Sequence, residues 1–318
     1  MTIERIALAA TLSAVVVLAV GPLAIPWLRA FARQPISEDA PPRHREKADV
    51  PTMGGVLMIA AVVVTLLALW IGSRTLGIVF VAFLGCGAAG LVDDLLKARR
   101  GRNLGLRARE KLAFQIPIGL AIGYYAMEFT GLGSALVLPW IGEVRLGWLY
   151  LPFAVLFMVG FTNGVNLTDG LDGLGAGTVA IAAVAYTGVA LHVGRADVAA
   201  FAAALAGACL GFLWYNAHPA QVIMGDVGSQ ALGGALAAMA IVTKTELTLL
   251  VIGIVFVLEA ASVVLQVAYF RATGGRRIFR SSPLHHHFEL AGWAETQIVT
   301  RFWLVGSLGA LAGLTVVL

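Results

Sequence analysis

Apolar residues along the chain fall into ten blocks separated by short polar breaks, near 6–28, 54–72, 76–92, 112–129, 149–165, 174–193, 198–215, 229–243, 247–270 and 297–318. About 20 apolar residues wound as a helix cover the hydrocarbon core of a bilayer. The pattern therefore predicts an all-α polytopic membrane protein with about ten transmembrane helices. The first block opens at Ile6, behind Glu4 and Arg5, and is too long for the apolar core of a signal peptide, so it reads as a retained span. Between the fourth and fifth blocks, the Gly-rich ends of segment 130–148 and its stretch 135–146 predict a small hairpin lying on the membrane. No low-complexity tract or soluble appended domain interrupts the pattern. Residues 1–318 read as a single integral-membrane domain.

Composition agrees with that reading. The chain is 59% hydrophobic and 13% charged, against roughly 45–50% and about 25% in soluble domains, which excludes a water-soluble fold of this size. The basic balance, net +4 with a pI of about 9.3, is a topology signal rather than a mark of nucleic-acid binding, because Lys and Arg concentrate in cytoplasmic loops. Arg29, Arg33, Arg43, Arg45 and Lys47 follow the first span. Lys97, Arg99, Arg100, Arg102, Arg107, Arg109 and Lys111 follow the third, and Arg271, Arg276, Arg277 and Arg280 follow the ninth. The alternate loops hold Arg5, Arg74, Arg145, Arg195 and Lys244. The bias predicts that loops after odd-numbered spans are cytoplasmic and that both termini and the hairpin are periplasmic. Cys86 and Cys209 lie in apolar runs and read as small core hydrophobes.

The chain has 18 Asp and Glu residues, so their positions carry information. Asp93 and Asp94 end the third span, Asp169 and Asp172 follow the fifth, and Asp226 precedes the eighth. By the same parity all face the cytoplasm, as does the loop with His285, His286 and His287. Adjacent carboxylates at membrane depth are costly, and a bound cation relieves that cost. The run 163–174, with Asn163, Asn166, Asp169 and Asp172 three residues apart and Gly164, Gly170 and Gly173 between them, predicts a bent or partly unwound stretch. Its hard oxygen donors suit Mg²⁺ held together with substrate phosphates; an Asn/Asp turn is the structural alternative. Asp226 in Met224-Gly225-Asp226-Val227-Gly228-Ser229 reads either as a helix N-cap or as a metal ligand. Residues 281–292 predict a short helix with serine as cap, Pro283 at its first position and Gly292 past its end. Three consecutive histidines on it point about 100° apart, so they cannot share one metal. Glu259 and Gln266, seven apart, share a face of the ninth span; Glu259 reads as a hydrogen-bond partner of a neighbouring helix.

The strings Pro51-Thr52-Met53-Gly54-Gly55, Asp93-Asp94-Leu95-Leu96-Lys97, 166–173, Met224-Gly225-Asp226-Val227-Gly228-Ser229 and 283–290 (Pro-Leu-His-His-His-Phe-Glu-Leu) resemble, in order, the bacterial phospho-N-acetylmuramoyl-pentapeptide transferases of the polyprenyl-phosphate N-acetylhexosamine-phosphate transferase superfamily. The resemblance runs from about residue 43 to the C-terminus. It implies Mg²⁺-dependent transfer of phospho-N-acetylmuramoyl-pentapeptide from its UDP carrier to undecaprenyl phosphate in the bacterial inner membrane, with release of UMP, usually by a homodimer. It implies that Asp226 binds Mg²⁺ and that Asp93 and Asp94 lie at the reacting phosphates and metal. His285 is placed with the catalytic residues. Lys47, Thr52, Lys97, Asn163, Asn166, Asp169, Asp172, Asn216, Gln266, His286 and His287 are implied as lining for the nucleotide and sugar phosphate. Ile223 stands where the family usually has an aromatic residue, and Gly101 and Arg109 stand where it often has Lys. An N-acetylglucosamine-phosphate transferase of the same superfamily is the nearest rival, and a membrane transporter is the rival from another class. The triple-histidine string argues against the first. The gathering of carboxylates at one surface, rather than at the midplane, argues against the second.

Overall fold

The computed structural model describes residues 1–31, 50–100 and 105–317. Lys47, Gly101 and the basic residues Arg33, Arg43, Arg45 and Arg102 lie outside the described residues. In chain order the helices are α1 (Ile3–Phe31), α2 (Gly55–Ala68), α3 (Arg74–Arg100) and α4 (Ala108–Phe129), then α5 (Tyr150–Thr168), α6 (Leu174–His192), α7 (Ala196–Asn216) and α8 (Gly225–Thr243). They are followed by α9 (Glu246–Ile252), α10 (Ile254–Ala272), α11 (Leu284–Leu290) and α12 (Glu295–Val317). Among the described residues nine of these are long and apolar enough to cross a membrane, and α2, at 14 residues, is a shorter apolar helix beside them. The protein is an all-α polytopic membrane protein.

Several boundaries depart from the hydrophobic pattern. The block 247–270 is not one helix. It breaks at Gly253, which caps both α9 and α10. Block 54–72 stops four residues early, because Trp70 turns into positive φ (+49°) and the Trp70 and Ile71 amides fold back onto the Leu67 and Leu66 carbonyls. Helix α3 runs eight residues past the apolar block, so Asp93 and Asp94 sit inside a helix and not beyond its end. The hairpin is present as strands β1 (Ala135–Leu138) and β2 (Gly142–Arg145), paired antiparallel from Ala135 with Arg145 to Leu138 with Gly142.

Helix α8 is the hub. It is enclosed on nearly every side, and it packs against α3 and α5, while α7 packs between α1 and α6. In lipid there is little hydrophobic drive between helices, so close approach through small residues does the packing. The α3–α8 seam shows this. A Cβ on Gly90 would lie 2.1 Å from the Asp226 carbonyl oxygen, and one on Gly234 would lie 2.7 Å from Cys86 Sγ. Backbones that close deliver whatever side chains stand beside them to one place. Asp94 is one turn past Gly90, and Asp226 opens α8.

At the far end of α8 a second polar group ties the hairpin down. Lys244 donates to the Gly133 carbonyl at 2.6 Å and stands 3.5 Å above the centre of the Tyr150 ring. The Tyr150 hydroxyl donates in turn to Glu246.

Candidate active site

Two loops and two helix ends meet at the near end of α8. Residues 51–54 lie along 223–224: the Ile223 amide donates to the Pro51 carbonyl at 2.8 Å and the Gly54 amide to the Ile223 carbonyl at 2.9 Å. Gly225 then adopts φ +73°. Positive φ is natural to glycine, and here space requires it as well, since a Cβ would lie 2.6 Å from Asp94 Oδ2 and 2.8 Å from Thr52 Oγ1. Thr52, Asp94 and the start of α8 are thereby pressed together. The N-cap of α8 is Met224, so Asp226 is in the first helical turn and is not a cap. That frees its carboxylate to face the site.

The carboxylates of Asp93, Asp94 and Asp226 offer ligand atoms within 4.8 Å of one another. Asp93 and Asp94 are 1% and 3% exposed, a depth at which like charges need compensation. Two lysines supply it. Lys97 Nζ lies 2.6 Å from Asp93 and 3.3 Å from Asp226, and Lys111 Nζ lies 2.6 Å from Asp226 and 3.3 Å from Asp93. Backbone amides complete the cage: Leu106 donates to Asp93 at 2.7 Å and Val227 to Asp94 at 3.0 Å. Asn166, on the last turn of α5, donates to Asp226 at 3.1 Å and to Ser229 at 2.8 Å.

Asp169 follows α5 directly. Burial first, and then the negative charges of Asp226, Asp94 and Asp172, push its carboxyl up to about 8. A divalent cation among these oxygens would reverse that shift. The donor set of three carboxylates, with amide and hydroxyl oxygens close by, has the hard-oxygen chemistry that Mg²⁺ and similar ions take. It is an acidic cluster capable of holding a metal.

A second carboxylate group lies at the α6 entrance. Asp172 accepts from the Ala220 amide at 3.1 Å and lies 3.1 Å from His218 Nδ1, and Glu295 accepts from the Asp172 amide at 2.8 Å. Asn216 joins this group to the segment 222–224, accepting from Gly173 at 3.1 Å and donating to the Val222 carbonyl at 2.9 Å.

The histidine helix α11 has Pro283 as its N-cap, where serine is expected from the sequence, and Gly292 follows its end with φ +94°. Its three histidines do different things. His285 is 1% exposed; its amide donates to Glu259 Oε1 at 3.3 Å, and its Nδ1 lies 3.3 Å from the same oxygen. Neither ring nitrogen completes a hydrogen bond among the described residues, and Nε2 faces Gly170, where a Cβ would lie 2.2 Å away. His286 pairs with Glu289 at 2.6 Å, and His287 accepts from the Arg280 amide at 3.0 Å. Glu259 thus binds the neighbouring short helix, in line with its sequence reading. Glu259→Ala is expected to lower stability by about 1–3 kcal/mol, the cost of a buried donor left unpaired, and to cut kcat/KM as His285 loosens. Glu259→Gln, which still accepts the His285 N–H, should recover most of both in thermal unfolding and steady-state assays.

Of the residues singled out from sequence, Asp93, Asp94, Lys97, Thr52, Asn166, Asp226 and, beside them, Asp169 come together. Asn163 does not reach the carboxylates. It donates to Gln115 at 3.0 Å and to its own helix at Val159. Gln266 is one lobe away, accepting from the Ile278 and Phe279 amides at 3.1 and 3.0 Å. Lys111 and His218 were not singled out, and both are in place.

A helical membrane protein that gathers buried carboxylates and lysines around the start of one central helix has the makings of an enzyme acting on phosphates, and comparison with known proteins gives its class. The profile described as glycosyl transferase family 4 matches residues 75–244. A Desulfitobacterium hafniense protein is 47% identical over 325 residues, covering 98% of this chain and 97% of that one. A Moorella thermoacetica protein is 50% identical with 95% and 96% covered, and a Geobacillus kaustophilus protein is 46% identical with 98% and 97% covered. All three are named phospho-N-acetylmuramoyl-pentapeptide-transferase. The chain belongs to the phospho-N-acetylmuramoyl-pentapeptide-transferase family.

Proposed function

We propose that the protein catalyses attack by undecaprenyl phosphate on UDP-N-acetylmuramoyl-pentapeptide in the bacterial inner membrane, giving the lipid-linked sugar diphosphate and UMP. A lipid phosphate oxygen bonds to the sugar-linked phosphorus, the P–O bond between the two phosphates of the carrier breaks, and UMP leaves with the electron pair. The observation that carries this reading is the group of Asp93, Asp94 and Asp226 oxygens within 4.8 Å, flanked by Lys97 and Lys111. The bias of Lys and Arg toward the loops after odd-numbered spans supports a site on the cytoplasmic side, and a homodimer is the expected assembly.

Asp226, Asp93 and Asp94 would hold Mg²⁺, which when bound neutralises charge developing on the leaving phosphate. Lys97 and Lys111 hold anionic oxygens on either side of the carboxylates. A phosphate monoester has a second pKa near 6, so the lipid phosphate is already mostly a dianion at neutral pH. Asp93 therefore orients it or takes its residual proton, and the displacement is direct. His285, whose buried imidazole completes no hydrogen bond among the described residues, braces the 169–173 turn beside the phosphates. Thr52, Asn166, Asp169, Asp172, Asn216, His286 and His287 complete the nucleotide and sugar-phosphate lining, with Ile223 giving apolar contact where a ring would stack. Lys47 is proposed as a further phosphate contact, and Gln266 acts beyond the sugar, in the lobe it shares with Arg271 and Arg277.

The test uses purified protein with Mg²⁺, labelled UDP-N-acetylmuramoyl-pentapeptide and undecaprenyl phosphate. UMP and labelled lipid should appear together, and omission of the lipid should stop both. Stoichiometric UMP release without lipid, leaving label on Asp93 or Asp94, defeats the direct displacement. Turnover of UDP-N-acetylglucosamine in place of the peptide-bearing substrate defeats the assignment itself.

A further inference from the structure

The lobe formed by the end of α10 and the segment leading into α11 encloses an open groove of about 320 Å³. Its polar lining is Gln266, Arg271, Arg277, Ser281 and Ser282, with Phe270 among its apolar wall residues. Every charged group in it is a cation. Among the described residues Arg271 makes no ion pair, and the only side-chain hydrogen bond of Arg277 is a long one, 3.4 Å, to the Arg280 carbonyl. Gln266 is 7% exposed. Its Oε1 is committed to the Ile278 and Phe279 amides, while its Nε2 donates to nothing among the described residues. A nearly buried amide donor, two guanidinium groups and two hydroxyls without a carboxylate among them is the chemistry of a carboxylate receptor, since the guanidinium fork matches a carboxylate bidentately.

We propose that this groove binds the terminal carboxylate of the peptide carried by the sugar-nucleotide substrate. The inference rests on the function proposed above, because it is that substrate which brings a peptide. A muramoyl group acylates the amino end of its peptide and leaves a carboxylate at the other. Reach agrees. Gln266 and Arg271 stand seven and twelve residues beyond Glu259, which holds His285, so they lie about 10 and 18 Å further along the α10 axis. Five extended residues span about 17 Å. A peptide whose sugar sits near His285 ends at the two arginines. The groove makes the enzyme read the far end of its substrate, and binding there holds the sugar phosphate at the carboxylates.

The test crosses substrate with protein: UDP-N-acetylmuramoyl-pentapeptide as the free acid or as its terminal carboxamide, against wild type and Arg271→Gln/Arg277→Gln. In the wild type, amidation should raise KM about tenfold and change kcat by less than about twofold. In the double variant, acid and amide should have the same KM, near that of the wild type with the amide. Equilibrium binding of both substrates by both proteins decides the same point without turnover, so an absence of UMP release from the wild type sinks the proposed reaction and leaves the groove tested. The arginines are exposed, and an unchanged thermal melt shows the variant folded. An amidation cost undiminished in the double variant overturns the proposal. So does a rise confined to the KM for undecaprenyl phosphate, which would give the groove to a lipid phosphate.

Discussion

Asp226→Ala is expected to abolish turnover, by about 10³-fold or more, with no recovery as Mg²⁺ is raised. Asp226 links the lysines and α5 to the other carboxylates: it meets Lys97 and Lys111 by ion pairs, Asn166 by a hydrogen bond, and Asp93 and Asp94 through the shared set of ligand atoms. Losing a single donor to the developing charge in an active site costs about 10²–10³ in rate. Here the loss removes a candidate metal ligand and also releases two lysines onto Asp93 alone. Those lysines would then neutralise Asp93 and compete with the metal, which is why more Mg²⁺ should not help. Mn²⁺ binding followed by electron paramagnetic resonance gives a readout independent of turnover and should weaken in parallel. Near-normal activity with unchanged Mn²⁺ affinity would remove Asp226 from the centre.

Lys111 shows where sequence reading stops. In the chain it is one of seven basic residues between two spans, and the positive-inside argument accounts for it fully. Its second role depends on α4 starting at Ala108, which puts Lys111 on the first turn and against a carboxylate 115 residues away. A signal for it does exist. Lys111 and Gln115 are four apart near the start of α4, hence on one face, and Gln115 joins Asn163 and, at a long 3.5 Å, Gln230 in the interior. That stripe marks the side of α4 turned toward α5 and α8. The carboxylates were legible because charges gathered at the ends of apolar blocks, in a chain with few acidic residues, demand a reason. A lysine in a loop demands none.

The helical architecture was legible for the same reason, since hydropathy reports the solvent each residue meets. It does not report where the backbone ladder stops. Gly253 interrupts a run of apolar residues that reads as one span, and Trp70 turns the chain inside another. Asn163 was drawn into the site by its three-residue spacing from Asn166. Both asparagines do face inward, but a three-residue step on α5 moves the second toward Asp226 and leaves the first with Gln115. Spacing gave the face and not the depth.

Gly90→Ala is the substitution expected to show how far the chemistry depends on backbone approach alone. The added methyl carbon would stand 2.1 Å from the Asp226 carbonyl oxygen and 2.6 Å from the Val227 nitrogen. Both are backbone atoms at the start of the most enclosed helix, so neither can swing aside, and α3 and α8 must separate. The protein should still insert and fold, with a loss of about 1–3 kcal/mol typical of overpacking. Turnover should fall about 100-fold, because a shift of about 1 Å in reacting groups has that cost and because Asp94 and Asp226 ride on the two displaced backbones. Gly87→Ala, three residues earlier on α3, is the matched control. Its methyl would meet the Ile59 Cδ1 at 3.0 Å and the Ala231 Cβ at 3.2 Å, and the first of these is the free end of a flexible side chain. It should keep activity within about threefold. If both variants lose turnover alike, general loosening of the α3–α8 seam is enough to explain the effect. If Gly90→Ala alone does, the distance between Asp94 and Asp226 is what the enzyme cannot give up.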